Sequence, residues 1–240
     1  MENPTTTIGS ILSQNKNQSS DKQLRIELCN ICKERVADGF IGRICSVCYK
    51  KSMIERMPKS EQMKHLMEVV PKRFIEAELN HLPKTLQDVF NKDIDDGVLL
   101  WGTPGSGKSY ALAALAKKYV MDGFDVSRIH YEMLCLRLRD TFNPNAKLTE
   151  WQIIEPLLNC QKLFIEDVGA SRRIGNQESD HSVRTFLVLL DMRIERCLPT
   201  FVTSNKSVES LSESFDERVG DRLTLFNVFA MKNKSKRRAG

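Results

Sequence analysis

One octapeptide constrains this chain more than any other feature. Gly102-Thr103-Pro104-Gly105-Ser106-Gly107-Lys108-Ser109 follows the apolar run Val98-Leu99-Leu100-Trp101 and opens an Ala/Leu/Lys-rich stretch from Lys108 to Met121. The order is buried strand, glycine-rich turn, helix, and the pattern is Gly-x4-Gly-Lys-Ser in full. Its glycines allow successive backbone N–H groups to turn inward around phosphates, and the helix start adds further N–H groups and a favourable dipole. Lys108 is placed to reach the β- and γ-phosphates of ATP, and Ser109 to ligate Mg²⁺. A glycine turn without a ligand is the bland alternative, and a strand before and a helix after argue against it.

The rest of the chain supports a sheet with helices on both faces. Strands are expected at Val126–Ile129, Leu163–Ile165 and Phe201–Thr203. Helices are expected over 131–142, from Thr149 onward and over 181–197, with Gly123 closing the helix that follows the phosphate loop. Strands alternating with helices predict an α/β fold, a P-loop NTPase three-layer α/β/α sandwich. Ahead of it, residues 59–70 read as a helix ended by Pro71, and 72–96 as a linker with a short helix after Pro83. The organisation expected is a disordered segment over 1–23, a small module with its helix over 24–70, and an ATPase domain over 71–240 with a basic tail.

Two further segments complete the expected nucleotide site. Glu166 and Asp167 end an apolar strand, where carboxylates at the edge of a parallel sheet sit beside the phosphate loop and can hold Mg²⁺ or polarise water. Asn205, after Thr203-Ser204, is placed to orient water or contact the γ-phosphate; a turn-forming asparagine is the alternative.

The chain has seven cysteines, and four form the pattern Cys29-x2-Cys32-x12-Cys45-x2-Cys48. Two such knuckles brought together make a tetrahedral four-thiolate site for Zn²⁺, with an iron–sulfur centre as chemical competitor. Gly39 and Gly42 suit the turns between the pairs. A region this short cannot build a large core, so metal would supply much of its folding energy. Cys135, Cys160 and Cys197 stand apart and read as small hydrophobes.

Net charge is +5, compatible with nucleic acid or an acidic partner without demanding either. The tail gathers Lys232, Lys234, Lys236, Arg237 and Arg238, either a solvated end or a phosphate-contacting strip. No apolar run approaches the roughly 20 residues of a membrane span, and no secretory leader is visible, so a cytoplasmic protein is expected.

Taken together, Val70–Phe74, the Leu99–Ser109 strand and loop, Leu136–Phe142, Leu163–Gly169, Leu198–Asn205 and Glu217–Leu223 resemble, in order and spacing, the helicase-loader branch of AAA+ ATPases, the DnaC-like group. Their relatives, the ATPase subunits of certain insertion-sequence transposases, are similar too. The resemblance spans roughly residues 68–237. It implies that Asn205 is sensor 1 and that Arg218 is an arginine finger acting on a neighbouring subunit in an ATP-bound homo-oligomer, with Arg222 as competitor. It also implies a sensor 2 role for Arg237. Glu166-Asp167 inverts the family's usual order of Asp first, which favours ATP binding over fast hydrolysis. The function implied is loading of a hexameric replicative DNA helicase onto single-stranded DNA. The zinc module would dock on the helicase, contact DNA, or only staple the fold. A transposition ATPase, or a nucleotide-gated DNA-binding adaptor with little hydrolysis, are the alternatives.

Overall fold

The computed structural model describes residues 28–35, 37, 43–170 and 180–231. The segment 1–23, the turn glycines Gly39 and Gly42, the polar stretch 171–179 and the tail from 232, with Arg237, lie outside the described residues. The chain divides into two compact units, Met1–Cys45 and Ser46–Gly240.

In the first unit the chain turns tightly around Cys29. Its amide donates to the Arg35 carbonyl (2.7 Å), its carbonyl accepts from the Lys33 amide (3.0 Å), and the Asn30 amide donates to the Arg43 carbonyl (2.7 Å).

The second unit begins with α1 (Ser46–Arg56) and α2 (Lys59–Val69), divided at Pro58. Val70, ahead of Pro71, is extended, as proline's ring requires of its predecessor. After α3 (Lys84–Phe90) come β1 (Val98–Gly102), α4 (Lys108–Met121), β2 (Val126–His130), α5 (Tyr131–Asp140) and α6 (Glu150–Asn159). Then follow β3 (Lys162–Val168), α7 (Asp180–Glu195), β4 (Thr200–Ser204), α8 (Val208–Ser214), α9 (Glu217–Leu223) and β5 (Asn227–Met231). All pairings are parallel, in the order β2-β3-β4-β1-β5.

Period-2 alternation along the strands divides the core in two. Val98, Leu100, Phe164 and Phe201 point to the face covered by α4, whose Ala111–Ala116 are buried against them. Leu99, Leu163, Ile165 and Val202 point to the opposite face, packed by α5, α6 and α7. Stacking of Phe164 on Phe201 (centroids 4.6 Å apart) and the edge of Tyr119 against Phe124 fill the first layer. Both faces are thus buried, as an all-parallel sheet requires.

Helix ends follow local chemistry. Thr149 caps α6 through a reciprocal capping box with Gln152, and Gly123, at φ +87°, ends α4. Two expectations shift. The stretch 72–96 is more than a linker, since it buries Ala77, Leu82, Leu86, Phe90 and Ile94 in the α4-side core. Helix α5 ends at Asp140, two residues short of Phe142, whose ring is 64% exposed and has no core to extend into. Among the described residues, no helix is long and apolar enough to cross a membrane.

Candidate nucleotide and metal sites

β1 ends at the phosphate loop, and backbone freedom at two glycines is what shapes it. Gly102 sits at φ +152°, where a Cβ would clash with the Met231 carbonyl of β5. Gly107 sits at φ +101° and caps α4, so the free N–H groups of the first turn begin at Lys108. Lys108 is buried, and its ammonium donates to the carbonyls of Gly102 (2.7 Å) and Thr103 (3.1 Å) and to Asn205 Oδ1 (2.9 Å). The loop lysine and the residue expected as sensor 1 are therefore in direct contact.

A cavity of about 720 Å³ opens on this loop, within the range of pockets for small organic ligands. Pro104 through Ser109, Asp167 and Asn205 line it. The segment ahead of β1 adds a further wall: Arg73, Phe74, His81, Leu82 and Pro83. Tyr110 ties that wall to α4, its hydroxyl 2.8 Å from His81 Nδ1 and accepting from the Glu78 amide. The fully buried Ser106 Oγ has no partner within the protein. An orphaned hydroxyl in a glycine-rich loop at a helix start, beside a buried ammonium, is a donor set that suits phosphate oxygens.

The acidic pair divides. The register of β3 on β4 shifts between Ile165 and Val168, and within that bulge Asp167 takes φ +57°. Aspartate tolerates this region better than most residues, and bulges re-aim side chains. Asp167 lines the cavity, with its amide donating to Thr203 Oγ1 (3.0 Å) and its carboxylate 4.0 Å from His130 Nδ1. Glu166 is fully buried, forms an ion pair with Arg128 of β2, and is not among the residues lining the cavity.

The two candidate fingers lie on α9. Asp216 caps that helix through the amides of Arg218 and Val219, and its carboxylate also takes two bonds from the Arg218 guanidinium (3.2 and 3.0 Å). The Arg218 pair holds the Asp216 carboxyl below its ordinary value, with burial opposing. Arg222 is bound instead to Asp191 (2.7 Å) and Asp221 (3.0 Å), and the Asp191 contact raises its pKa. Arg218 is the more exposed of the two side chains, 56% against 32%.

The four cysteine sulfurs, Cys29, Cys32, Cys45 and Cys48, all lie within 4.8 Å of one another. A zinc–sulfur bond of about 2.3 Å sets tetrahedral S···S edges near 3.8 Å, and Cys32 and Cys45 stand 3.9 Å apart. Burial pushes the Cys29 thiol up. Hydrogen bonds from backbone amides of Cys45, Cys32 and Ile31 outweigh it and bring the pKa down to about 6, favouring the thiolate that metal needs. The cluster is consistent with a zinc module.

Sequence reasoning did not single out Arg128, His130, His81 or Tyr110. Arg128 had a visible signal, a cation in the middle of an expected core strand. The others depend on which segments the fold brings to the loop.

No protein-family model matches the chain. Over 153 residues it is 28% identical to the replicative helicase loader DnaC of Escherichia coli (strain K12), a match spanning 63% of this chain and 60% of that protein. Among solved structures, that of DnaI matches with a TM-score of 0.57 and 18% identity, over 72% of this chain and 99% of the other. The DnaC helicase loader matches with a TM-score of 0.56 and 20% identity, over 68% and 99%. The chain has the AAA+ fold of the DnaC/DnaI-like helicase loaders, with a four-cysteine cluster in its N-terminal part.

Proposed function

We propose that this protein is an ATP-dependent loader of a hexameric replicative DNA helicase onto single-stranded DNA. The observation that carries the reading is the contact of the buried Lys108 with Asn205, both lining a 720 Å³ cavity, in a fold shared with helicase loaders. Lys108 and the loop amides would hold the phosphates of ATP, and Ser106 Oγ would give one of them a hydrogen bond. Ser109 and Asp167 would hold Mg²⁺, which when bound neutralises charge on the β- and γ-phosphates. Asn205 would orient water at the γ-phosphate. Arg218 would leave Asp216 to complete a neighbouring subunit's site, so turnover would depend on a homo-oligomer.

The cysteine module is assigned to helicase docking, because a metal-braced surface can present fixed groups without a large core. The ATPase fold is the switch, since its contacts can differ between nucleotide states. A second reading, a nucleotide-gated adaptor with little hydrolysis, is favoured by one observation: the buried ion pair that engages Glu166.

Affinity capture of the host's replicative helicase on the immobilised full chain tests the first reading. The helicase should be retained by the parent and lost when Cys45→Ser removes the metal. Retention that is indifferent to the cysteines overturns the docking assignment. Single-turnover ATPase measurements in the presence of helicase and single-stranded DNA separate loader from adaptor, because only the loader should turn over its nucleotide.

A further inference from the structure

Glu166 occupies the strand position at which a nucleotide-binding carboxylate is expected, yet its surroundings are those of a structural anion. Its side chain is 0% exposed and that of Arg128 is 11% exposed. The two meet across the β2–β3 pairing, on the face buried by α4, because Arg128 lies directly opposite Phe164 and one pleat from Glu166. Arg128 Nη1 also donates to the carbonyl of Val69 in the last turn of α2 (3.4 Å). The guanidinium therefore joins the interior of β3 to the end of α2. Asp167, in contrast, is turned by the bulge into the cavity, and among the described residues it is the one acidic side chain that lines it.

We propose that Arg128 is a positioning residue that neutralises Glu166 and holds it inside the sheet, so that Asp167 alone supplies the acidic group facing metal-bound nucleotide. The inference rests on the nucleotide-site reading above and changes its division of labour. A buried carboxylate in contact with a guanidinium gains most from keeping that partner, since either group left alone is an uncompensated buried charge. Moving Glu166 toward Ser109 would strand Arg128 between β2 and α2. The inverted order of the pair then has a physical reason. The longer glutamate spans to Arg128 within the sheet, and the shorter aspartate fits the positive-φ position at the bulge. Because α2 ends on the same guanidinium, displacement of α2 would be felt at the strand that carries Asp167.

The test uses the full-length zinc-loaded chain and a fluorescent non-hydrolysable ATP analogue, titrated with Mg²⁺ and with EDTA. Parent protein should bind more tightly with Mg²⁺. Asp167→Asn should lose that gain, and Arg128→Met/Glu166→Gln should keep it to within about threefold. Thermal unfolding gives the second readout. Arg128→Met and Glu166→Gln should each lower the midpoint, and the double variant should recover most of the loss, because a neutral pair replaces the ionic one.

Glu166→Asp guards against a double variant that does not fold. It should lower the midpoint by shortening the reach to Arg128 and leave the Mg²⁺ gain as it was. Loss of the gain in the folded double variant, or a larger gain in Glu166→Asp, overturns the proposal. Additive losses in the unfolding cycle overturn it too. Lys108→Ala is the control for the underlying reading. If it binds the analogue as the parent does, the nucleotide site is wrong, and the unfolding cycle still decides whether Arg128 and Glu166 act as a pair.

Discussion

Arg193 offers a quantitative check on the scaffold behind the site. It lies on α7 and is completely buried, and among the described residues no carboxylate is one of its hydrogen-bond partners. Its guanidinium donates to the Leu157 carbonyl (2.7 Å), the Cys160 carbonyl (2.9 Å), the Pro199 carbonyl (2.9 Å) and Thr200 Oγ1 (2.9 Å). It thereby closes the C-terminal end of α6, where partial negative charge gathers, and pins the turn that feeds β4. Burial lowers its pKa, with Cys160 opposing.

Replacing it by methionine keeps much of the stem but strands three carbonyls, at about 1–3 kcal/mol each. Relief of the buried charge's desolvation offsets several kcal/mol of that sum. The net expectation is a loss of about 3 kcal/mol, which for a chain of this size lowers the thermal midpoint by roughly 6–12 °C. Arg193→Lys should recover only part, because an ammonium cannot reach the same fork of acceptors. Thr200→Ala, which removes one acceptor, should cost about 1 kcal/mol. Differential scanning calorimetry of the zinc-loaded proteins measures all three. A midpoint within about 2 °C of the parent for Arg193→Met would refute the reasoning, since the stranded carbonyls would then have found other partners.

Purified without chelators, the protein should contain one zinc per chain by elemental analysis, and Cys32→Ser should reduce this sharply; iron with a charge-transfer absorbance would replace the zinc assignment. Asp216→Ala should destabilise α9 by about 1–2 kcal/mol at neutral pH through loss of its cap. Since the folded-state pKa of Asp216 is depressed, its contribution is present above the ordinary aspartate value of 3.8 and disappears as pH falls through the lower folded value. Parent and variant unfolding curves should therefore converge only below that value, and a constant gap down to strong acid would contradict it. Arg218→Ala should bind ATP as the parent does and hydrolyse it poorly, and mixing it with Lys108→Ala should restore turnover in mixed assemblies. Recovery by Arg222→Ala instead would move the finger to that residue.

What could be read from the sequence follows from how local each determinant is. The phosphate loop, α4 and β1 are set by glycines, a lysine and an apolar run within some twenty consecutive residues, and the expected and observed bounds of α4 coincide. Thr149 and Pro71 likewise announce a helix start and a helix end through neighbours only. β5 was not anticipated, because it is an edge strand on which Asn227, Val228 and Ala230 are exposed and only Phe229 and Met231 pack on the core, too short an alternation to stand out in the sequence. α1 was missed because Cys45 and Cys48 read as knuckle ligands, and only Val47, Cys48 and Ile54 of that helix are buried.

At the site, the identity of the acidic segment is local, but which carboxylate faces the cavity is not. That depends on the β3 bulge and on Arg128 in another strand. Part of the cavity lining also comes from residues that approach only after folding: His81 is hydrogen-bonded to Tyr110, which lies 29 positions away.

The most direct test of the account is a loading assay. The host's hexameric helicase is offered a closed single-stranded circle carrying a short annealed strand, and release of that strand is followed with and without this protein. The account predicts release that requires the protein and ATP, and that Lys108→Ala reduces to the level of helicase alone while the variant remains folded. Equal release without the protein, or undiminished stimulation by Lys108→Ala, would contradict it.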